Sequence, residues 1–245
     1  MPWHFVFESL AYLAAFRLYL WQRKSGDFLD TATRWTIVVA AIAGAAVGSK
    51  ALAWLEDPAR TLAHWSDLPY LLGGKTVVGA ILGGTIAVEW TKQRLGVTRR
   101  TGDLFAIPLA VGIAIGRVGC FLAGLRDETY GVATSLPWGI DLGDGVKRHP
   151  VQLYEIVAML LLAVGLRRVL PPRFEEGDRF RALLLAYFGW RVAIDFLKPG
   201  VRFAGLTVLQ WCSLAALVWY ARDLCWILGR MLGRNPRWKG AEANG

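Results

Sequence analysis

Arg117 stands inside PLAVGIAIGRVGCFLAGL (108–125), an otherwise uncharged apolar run, with Gly112, Gly116, Gly119 and Gly124 around it. A permanent cation there needs a carboxylate partner, a water-filled cavity or a ligand, because a mid-bilayer charge costs about 2.5–3.5 kcal/mol on insertion scales. Pairing with one carboxylate would only lock helix packing. The guanidinium is also a rigid fork of donors matched to phosphate oxygens, and small neighbours leave backbone open to a bulky group. Phosphate in a membrane belongs to lipid headgroups. Arg191 repeats the pattern in LAYFGWRVAIDFLKPG, with Asp195 and Lys198 on the same helical face. An i,i+4 Arg–Asp pair and a clamp on an anionic headgroup both fit that spacing. A third group is KRHPVQLYE (147–155). His149 precedes Pro150, where the chain is extended and a helix can begin. Gln152 and Glu155 fall in that helix's first turns, where a carboxylate suits the helix dipole.

These residues need membrane helices to position them. Of 245 residues, 55% are hydrophobic, and the charges cluster between long apolar runs, the pattern of a polytopic membrane protein. Twelve Trp and seven Tyr suit a chain with two interfaces to anchor. The +9 net charge is therefore not read as a nucleic-acid footprint, which would spread over a soluble face. Seven apolar segments are expected to span as helices, at about 5–21, 35–55, 70–90, 104–124, 151–170, 181–197 and 206–228. The glycines of GAAVGSKALA and GAILGG offer close helix–helix approach. The N-terminal apolar run has no basic leader or cleavage site and reads as a retained span.

Counting basic residues at span edges with the loops they adjoin gives 17 on one side and 6 on the other. The positive-inside rule then places the N-terminus outside and the C-terminus in the cytoplasm. Arg17, Lys50, Lys75, Arg117 and Arg191 are left within spans or at their edges, together with Glu8, Glu89, Glu155 and Asp195. The stretch 125–150 lacks a hydrophobic period and should form a small extracytoplasmic cap between spans four and five. Residues 1–235 are expected to make one all-α integral-membrane domain, with 236–245 a polar tail. Cys120, Cys212 and Cys225 show no CxxC spacing, so neither a disulfide framework nor a cysteine-ligated zinc site is expected. No internal repeat pairs interrupted spans, which argues against a secondary transporter.

The motifs resemble those of the prolipoprotein diacylglyceryl transferase family. DLFAIPLAVGIAIGRVGCF is similar to its D-x-x-A-P…G-R-x-G-N-F signature, and RHPVQLYE to its R-H-P-x-Q-L-Y-E. YFGWRVAIDFLKP and GLTVLQWCSL resemble its Y-G-x-x-R-F-x-x-E-x-x-R-x-P and L-T-x-G-Q-x-x-S segments, in the same order. The resemblance implies transfer of the diacylglyceryl group of phosphatidylglycerol to the lipobox cysteine thiol of a prolipoprotein signal peptide, at the outer face of the bacterial inner membrane. Glycerol phosphate is the leaving group, and neither cofactor nor metal is required. Arg117 and Arg191 would hold the phosphate and stabilise its developing charge. His149 or Lys75 would take the thiol proton. Gly116, Gly119, Cys120, Gln152, Tyr154, Glu155 and Asp195 would line the substrate site, with the glycines making room for the headgroup.

The departures from the pattern are specific. Val78 in GGKTVVGA stands where the family carries the histidine of H-G-G. Cys120 replaces the asparagine of G-N-F, and Leu125 the glutamate of N-G-E, with Glu128 close behind it. The family's early tyrosine aligns near Glu8, four residues from Tyr12. Phosphate-holding positions are kept while acid–base and polar positions are lost. Two other readings therefore stand beside the first. One keeps the lipid donor and changes the acceptor to a small thiol, amine or hydroxyl. The other is a non-catalytic phospholipid-binding, flipping or scaffold protein.

Overall fold

The structure is a computed structural model that describes residues 2–24, 27–168 and 176–231. The expected tail 236–245 lies outside the described residues. Among the described residues the regular structure is helical apart from one two-stranded hairpin. Its helices are α1 (Pro2–Lys24), α2 (Thr31–Glu56), α3 (Pro58–Ala63), α4 (Leu68–Leu72), α5 (Val77–Arg94), α6 (Asp103–Ala123), α7 (Val151–Arg168), α8 (Asp178–Ile194), α9 (Val208–Trp219) and α10 (Ala221–Met231). Two segments, Thr31–Glu56 and Asp103–Asp127, are long and apolar enough to cross a membrane. The other long helices are shorter or carry more polar residues.

Local chemistry sets the helix starts. Asp30 accepts from the Thr33 N–H to cap α2, and Thr76 accepts from Gly79 to cap α5. Thr207 and Gln210 form a capping box at the head of α9. Asp103, in the first turn of α6, accepts from the backbone N–H groups of Gly177 and Phe180 at 2.8 and 3.0 Å, tying the starts of α6 and α8 together.

Helices α2 and α5 lie backbone against backbone. A Cβ on Gly44 would sit 2.5 Å from the Gly83 carbonyl oxygen, and one on Gly48 would sit 2.9 Å from the Gly83 Cα. The small residues of both glycine-rich stretches are thus used as expected. Just beyond this contact the Lys50 ammonium donates to the carbonyls of Leu72, Gly73 and Gly74. These are exposed acceptors at the end of α4, so Lys50 serves as a cap for a neighbouring helix.

Helix α1 packs along α6, α6 along α7, and α8 along α9. The main core gathers Leu52, Val78, Ile81, Ala114, Met159, Leu184, Tyr187, Phe188 and Leu209 from α2, α5, α6, α7, α8 and α9. Below α1, Arg34 of α2 is buried and donates from Nε to Asp27 Oδ2 at 2.8 Å, with a second bond from Nη2 to Oδ1.

Two expected segments differ from the structure. The third was to start near residue 70, but α4 ends at Leu72 and α5 begins only at Val77, because Thr76 caps it there. The last, 206–228, is not one helix: it breaks at Tyr220 between α9 and α10. The charged pair Arg222–Asp223 follows just beyond it and interrupts the apolar run at that point. The expected cap between α6 and α7 is a small hairpin, β1 (Ile140–Asp141) paired antiparallel with β2 (Lys147–Arg148). The Asp141 carboxylate accepts from the N–H groups of Gly143, Asp144 and Gly145, closing its turn. Val132 donates to the Leu197 carbonyl at 2.8 Å and accepts from His149 at 3.0 Å. Those bonds moor the hairpin to the chain that follows α8.

Candidate functional site

One carboxylate organises the centre. Glu155, on the second turn of α7, is 2% exposed and receives three cations from other elements. Arg117 Nε of α6 lies 3.1 Å from its Oε2, Arg191 Nη1 of α8 lies 3.2 Å from Oε1, and Lys198 Nζ lies 3.1 Å from Oε2. Arg191 Nη2 also meets Asp195 Oδ1 at 2.9 Å, and Thr207 donates to Asp195 Oδ2 at 3.3 Å. The i,i+4 pair thus forms, and the same guanidinium also shares Glu155 with Arg117. Helix α8 ends at Ile194, but a 3-10 turn over Asp195–Leu197 carries the chain on so that Lys198 returns to Glu155. Gln210 Nε2 donates to the Val192 carbonyl at 2.9 Å and fixes α9 against this turn.

Three buried cations here meet the two carboxylates Glu155 and Asp195 directly. Glu56, at the end of α2, is within electrostatic range of Arg191, Asp195, Lys198 and Arg117. Several polar atoms here are buried without a hydrogen-bond partner: Arg191 Nε, Gln152 Nε2 and Tyr187 Oη. Such groups cost about 1–3 kcal/mol each when left unmet. Glu56 and Tyr187 were not singled out in the sequence. An acidic residue at a helix end and a tyrosine in an apolar run carry no signal there.

The remaining candidates divide. Cys120 is buried one turn beyond Arg117, with its sulfur 3.7 Å from Arg117 Nη1. Gly116 faces open space, as room for a ligand requires. Gly119 does something else: a Cβ there would lie 2.8 Å from the Phe7 Cβ, and one at Gly112 would lie 3.3 Å from that of Ala15. Those two glycines admit α1, not a headgroup, a correction that spacing alone could not supply. His149 sits at the head of α7 with Nδ1 3.5 Å from the Tyr154 hydroxyl, which also accepts from Trp138 Nε1 at 2.7 Å. Tyr154 therefore binds the cap to α7. Lys75 is exposed and held by Glu8 at 2.6 Å, and Tyr12 donates to the same oxygen at 3.0 Å. Neither His149 nor Lys75 is among the partners of Glu155. Val78 lies in the apolar core, and Glu128 is exposed and pairs with Arg60, so neither restores the polar group expected near it.

Apolar helices packed around a buried cluster of two arginines, a lysine and their carboxylates define a helical membrane protein. The profile of the prolipoprotein diacylglyceryl transferase family matches residues 3–226. The chain belongs to that family. Among its relatives, a phosphatidylglycerol–prolipoprotein diacylglyceryl transferase of Cupriavidus necator is 30% identical over 74% of this chain and 66% of its own length. One of the same name from Trichormus variabilis is 30% identical over 86% of this chain and 79% of its own. A third, from Geobacter sulfurreducens, is 34% identical over 59% and 54%. The chain thus spans just under two thirds of the first relative's length and more of the second's.

Proposed function

We propose that this protein transfers the diacylglyceryl group of phosphatidylglycerol to the cysteine thiol of a prolipoprotein, releasing glycerol phosphate. Its convergent cationic cluster carries the reading. Arg117, Arg191 and Lys198 are buried together on one shared carboxylate, Glu155, Asp195 adds a second on Arg191, and Arg191 Nε, Gln152 Nε2 and Tyr187 Oη are left without hydrogen-bond partners. A phosphodiester entering beside Glu155 would meet guanidinium forks from two helices. As the C–O bond to the glyceryl carbon breaks, the second negative charge develops on phosphate oxygens already facing fixed donors. Preorganised electrostatics of that kind costs no rearrangement at the moment of reaction.

In this reading residues 1–235 form one integral-membrane domain with seven crossings, N-terminus outside and C-terminus in the cytoplasm of a bacterium. Charge at the helix ends supports it. Arg23 and Lys24 close α1, Lys92 and Arg94 close α5, and Arg167 and Arg168 close α7. The clamp and hairpin cap gather at the opposite ends, which the positive-inside rule assigns to the outer face.

The test is complementation. Cells depleted of their own transferase should recover when this protein is expressed. A lipobox peptide incubated with phosphatidylglycerol and purified protein should gain the mass of a diacylglyceryl group. Failure of both would overturn the proposal. A phosphatidylglycerol-derived product on a small non-protein acceptor would move the reaction to the alternative acceptor.

A further inference from the structure

A cavity of about 420 Å3 opens at the other end of the helices, between the last turns of α1 and α7 and the starts of α2, α6 and α8. Arg167, on its edge, is 12 residues beyond Glu155 on α7. At ~1.5 Å of rise per residue the two are about 18 Å apart along the helix, too far for one headgroup to occupy both. The cavity wall is divided by depth. Leu18 and Ile107 line it one turn deeper in the bundle than Trp21 and Leu104 on the same helices, and make an apolar floor. Arg34, Arg100, Arg167 and Arg179 line it near the helix ends.

Two carboxylates share that wall, and both are engaged. Glu176 pairs with Arg99, and Asp103 accepts from the backbone N–H groups of Gly177 and Phe180. Arg34 is likewise held, by Asp27 and by the Thr101 carbonyl. Arg100 and Arg167 differ: among the described residues neither makes an ion pair or donates a hydrogen bond through its guanidinium. Each is positioned by packing instead. A Cβ on Gly177 would lie 2.6 Å from Arg100 Cδ, so that glycine, with its φ of 89°, leaves room for the Arg100 stem across the start of α8. The Arg167 guanidinium carbon stands 6.0 Å from the centre of the Trp21 ring. Both forks are thus held in place at the cavity with their donors unspent.

We propose that this cavity binds an anionic phospholipid of the cytoplasmic leaflet, its phosphate on Arg100 and Arg167 and the start of an acyl chain on Leu18 and Ile107. The proposal rests on the membrane orientation given above and not on the transferase reading. Basic pockets between membrane helices on the cytoplasmic side suit anionic headgroups, and a guanidinium fork matches phosphate oxygens. The volume falls within the ~300–1,000 Å3 of small-molecule sites. The apolar floor selects a lipid over free phosphate, because an acyl chain takes that surface out of water and an inorganic anion leaves it wet. A lipid seated there touches α1, α6, α7 and α8 at once. It adds to the tie that Asp103 already makes between the starts of α6 and α8. Binding only the folded bundle, it stabilises that junction by mass action.

The experiment uses full-length protein in detergent, stripped of lipid and titrated with dioleoylphosphatidylglycerol while native mass spectrometry counts the lipids retained. Wild-type protein should retain two, one at the cluster around Glu155 and one here. The double variant Arg100→Gln, Arg167→Gln should retain one, with the second binding step weakened about tenfold or more for each charged hydrogen bond removed. Arg94→Gln takes an arginine from the same side of the protein, outside the cavity, and should keep both lipids. Dioleoylphosphatidylcholine should not fill the second step, and glycerol 3-phosphate at the same concentration should not displace the lipid. A count unchanged by the double substitution would overturn the site. An equal loss in Arg94→Gln would also overturn it, leaving only diffuse attraction to a basic surface. Displacement by glycerol 3-phosphate would overturn the lipid and make the ligand a free anion. A double variant that melts earlier than wild type in lipid-free detergent would make the two arginines structural and overturn the site as well. One lipid in wild type and none in the double variant would uphold the cavity and count against the transferase reading instead.

Discussion

Glu155→Gln separates an anion site from a structural ion-pair cluster. The substitution keeps the shape of the side chain and removes the one charge shared by Arg117, Arg191 and Lys198. All four side chains are at least nine-tenths buried. Breaking a buried pair from one side costs about 3–5 kcal/mol, since the partner charges remain uncompensated. The amide oxygen can still accept one of the three contacts, so the lower end, about 3 kcal/mol, is expected. A phosphodiester in the cluster replaces the lost charge. At about a hundred times its Kd, a ligand that binds only the folded state contributes about 2.7 kcal/mol. Wild-type protein gains less from the same lipid, because its carboxylate competes for the same donors. Unfolding should be followed in nanodiscs of zwitterionic lipid, with and without phosphatidylglycerol. The variant should be markedly weaker in the first, and most of the deficit should disappear in the second. A deficit of equal size in both would refute the reasoning, as would a variant as stable as wild type.

Arg117→Lys preserves charge but gives up the fork that spans Glu155 and Cys120, and one charged hydrogen bond is about 1.5–3 kcal/mol. Diacylglyceryl transfer to a lipobox peptide should fall about tenfold to a hundredfold, and full activity would reduce Arg117 to a diffuse positive field. Gly48→Leu drives a side chain into the Gly83 backbone, and overpacking of about 1–3 kcal/mol or more should appear as lost folded yield. At the other end, Asp27→Asn leaves Arg34 buried without its carboxylate and should cost about 3–5 kcal/mol in an unfolding titration. Burial raises the Asp27 pKa, but hydrogen bonding from Arg34 and Leu29 and the charges of Arg34 and Arg23 outweigh it and hold it below the ordinary aspartate value. Its contribution is therefore complete above the unfolded-state pKa of about 3.9 and fades as pH falls through the lower folded value. An acid limb identical in wild type and Asp27→Asn would contradict that.

The charged cluster was legible because a charge in an apolar run is conspicuous: Arg117, Arg191, Glu155 and Asp195 all stand out that way and all meet. Lys198 was placed on their face by helical spacing and reaches it although the α-helix stops at Ile194. Glycine roles were only half legible. The Gly44/Gly48 and Gly79/Gly83 pairs advertise close packing, whereas which side of α6 meets α1, and hence what Gly119 is for, depends on tertiary contact. The His4–Asp127 approach was invisible, since it joins the first helix to a turn beyond the fourth long one. The break at Tyr220 did have a signal, the charged pair Arg222–Asp223 just beyond it, which a window average over 206–228 smooths away.

Glu155 also bears on how the protein is made. Arg117 is synthesised first, and the carboxylate that neutralises it follows on the next long helix, across the hairpin cap. Inserted alone, α6 would bring an unpaired cation into hydrocarbon, at about 2.5–3.5 kcal/mol. Entering as a hairpin with α7, it arrives already neutralised. Arg191, arriving later on α8, brings Asp195 four residues behind it. Each of the two arginines thus has a carboxylate close by in the chain or on the next long helix. The charges that meet at Glu155 come together only when those separately neutralised helices dock.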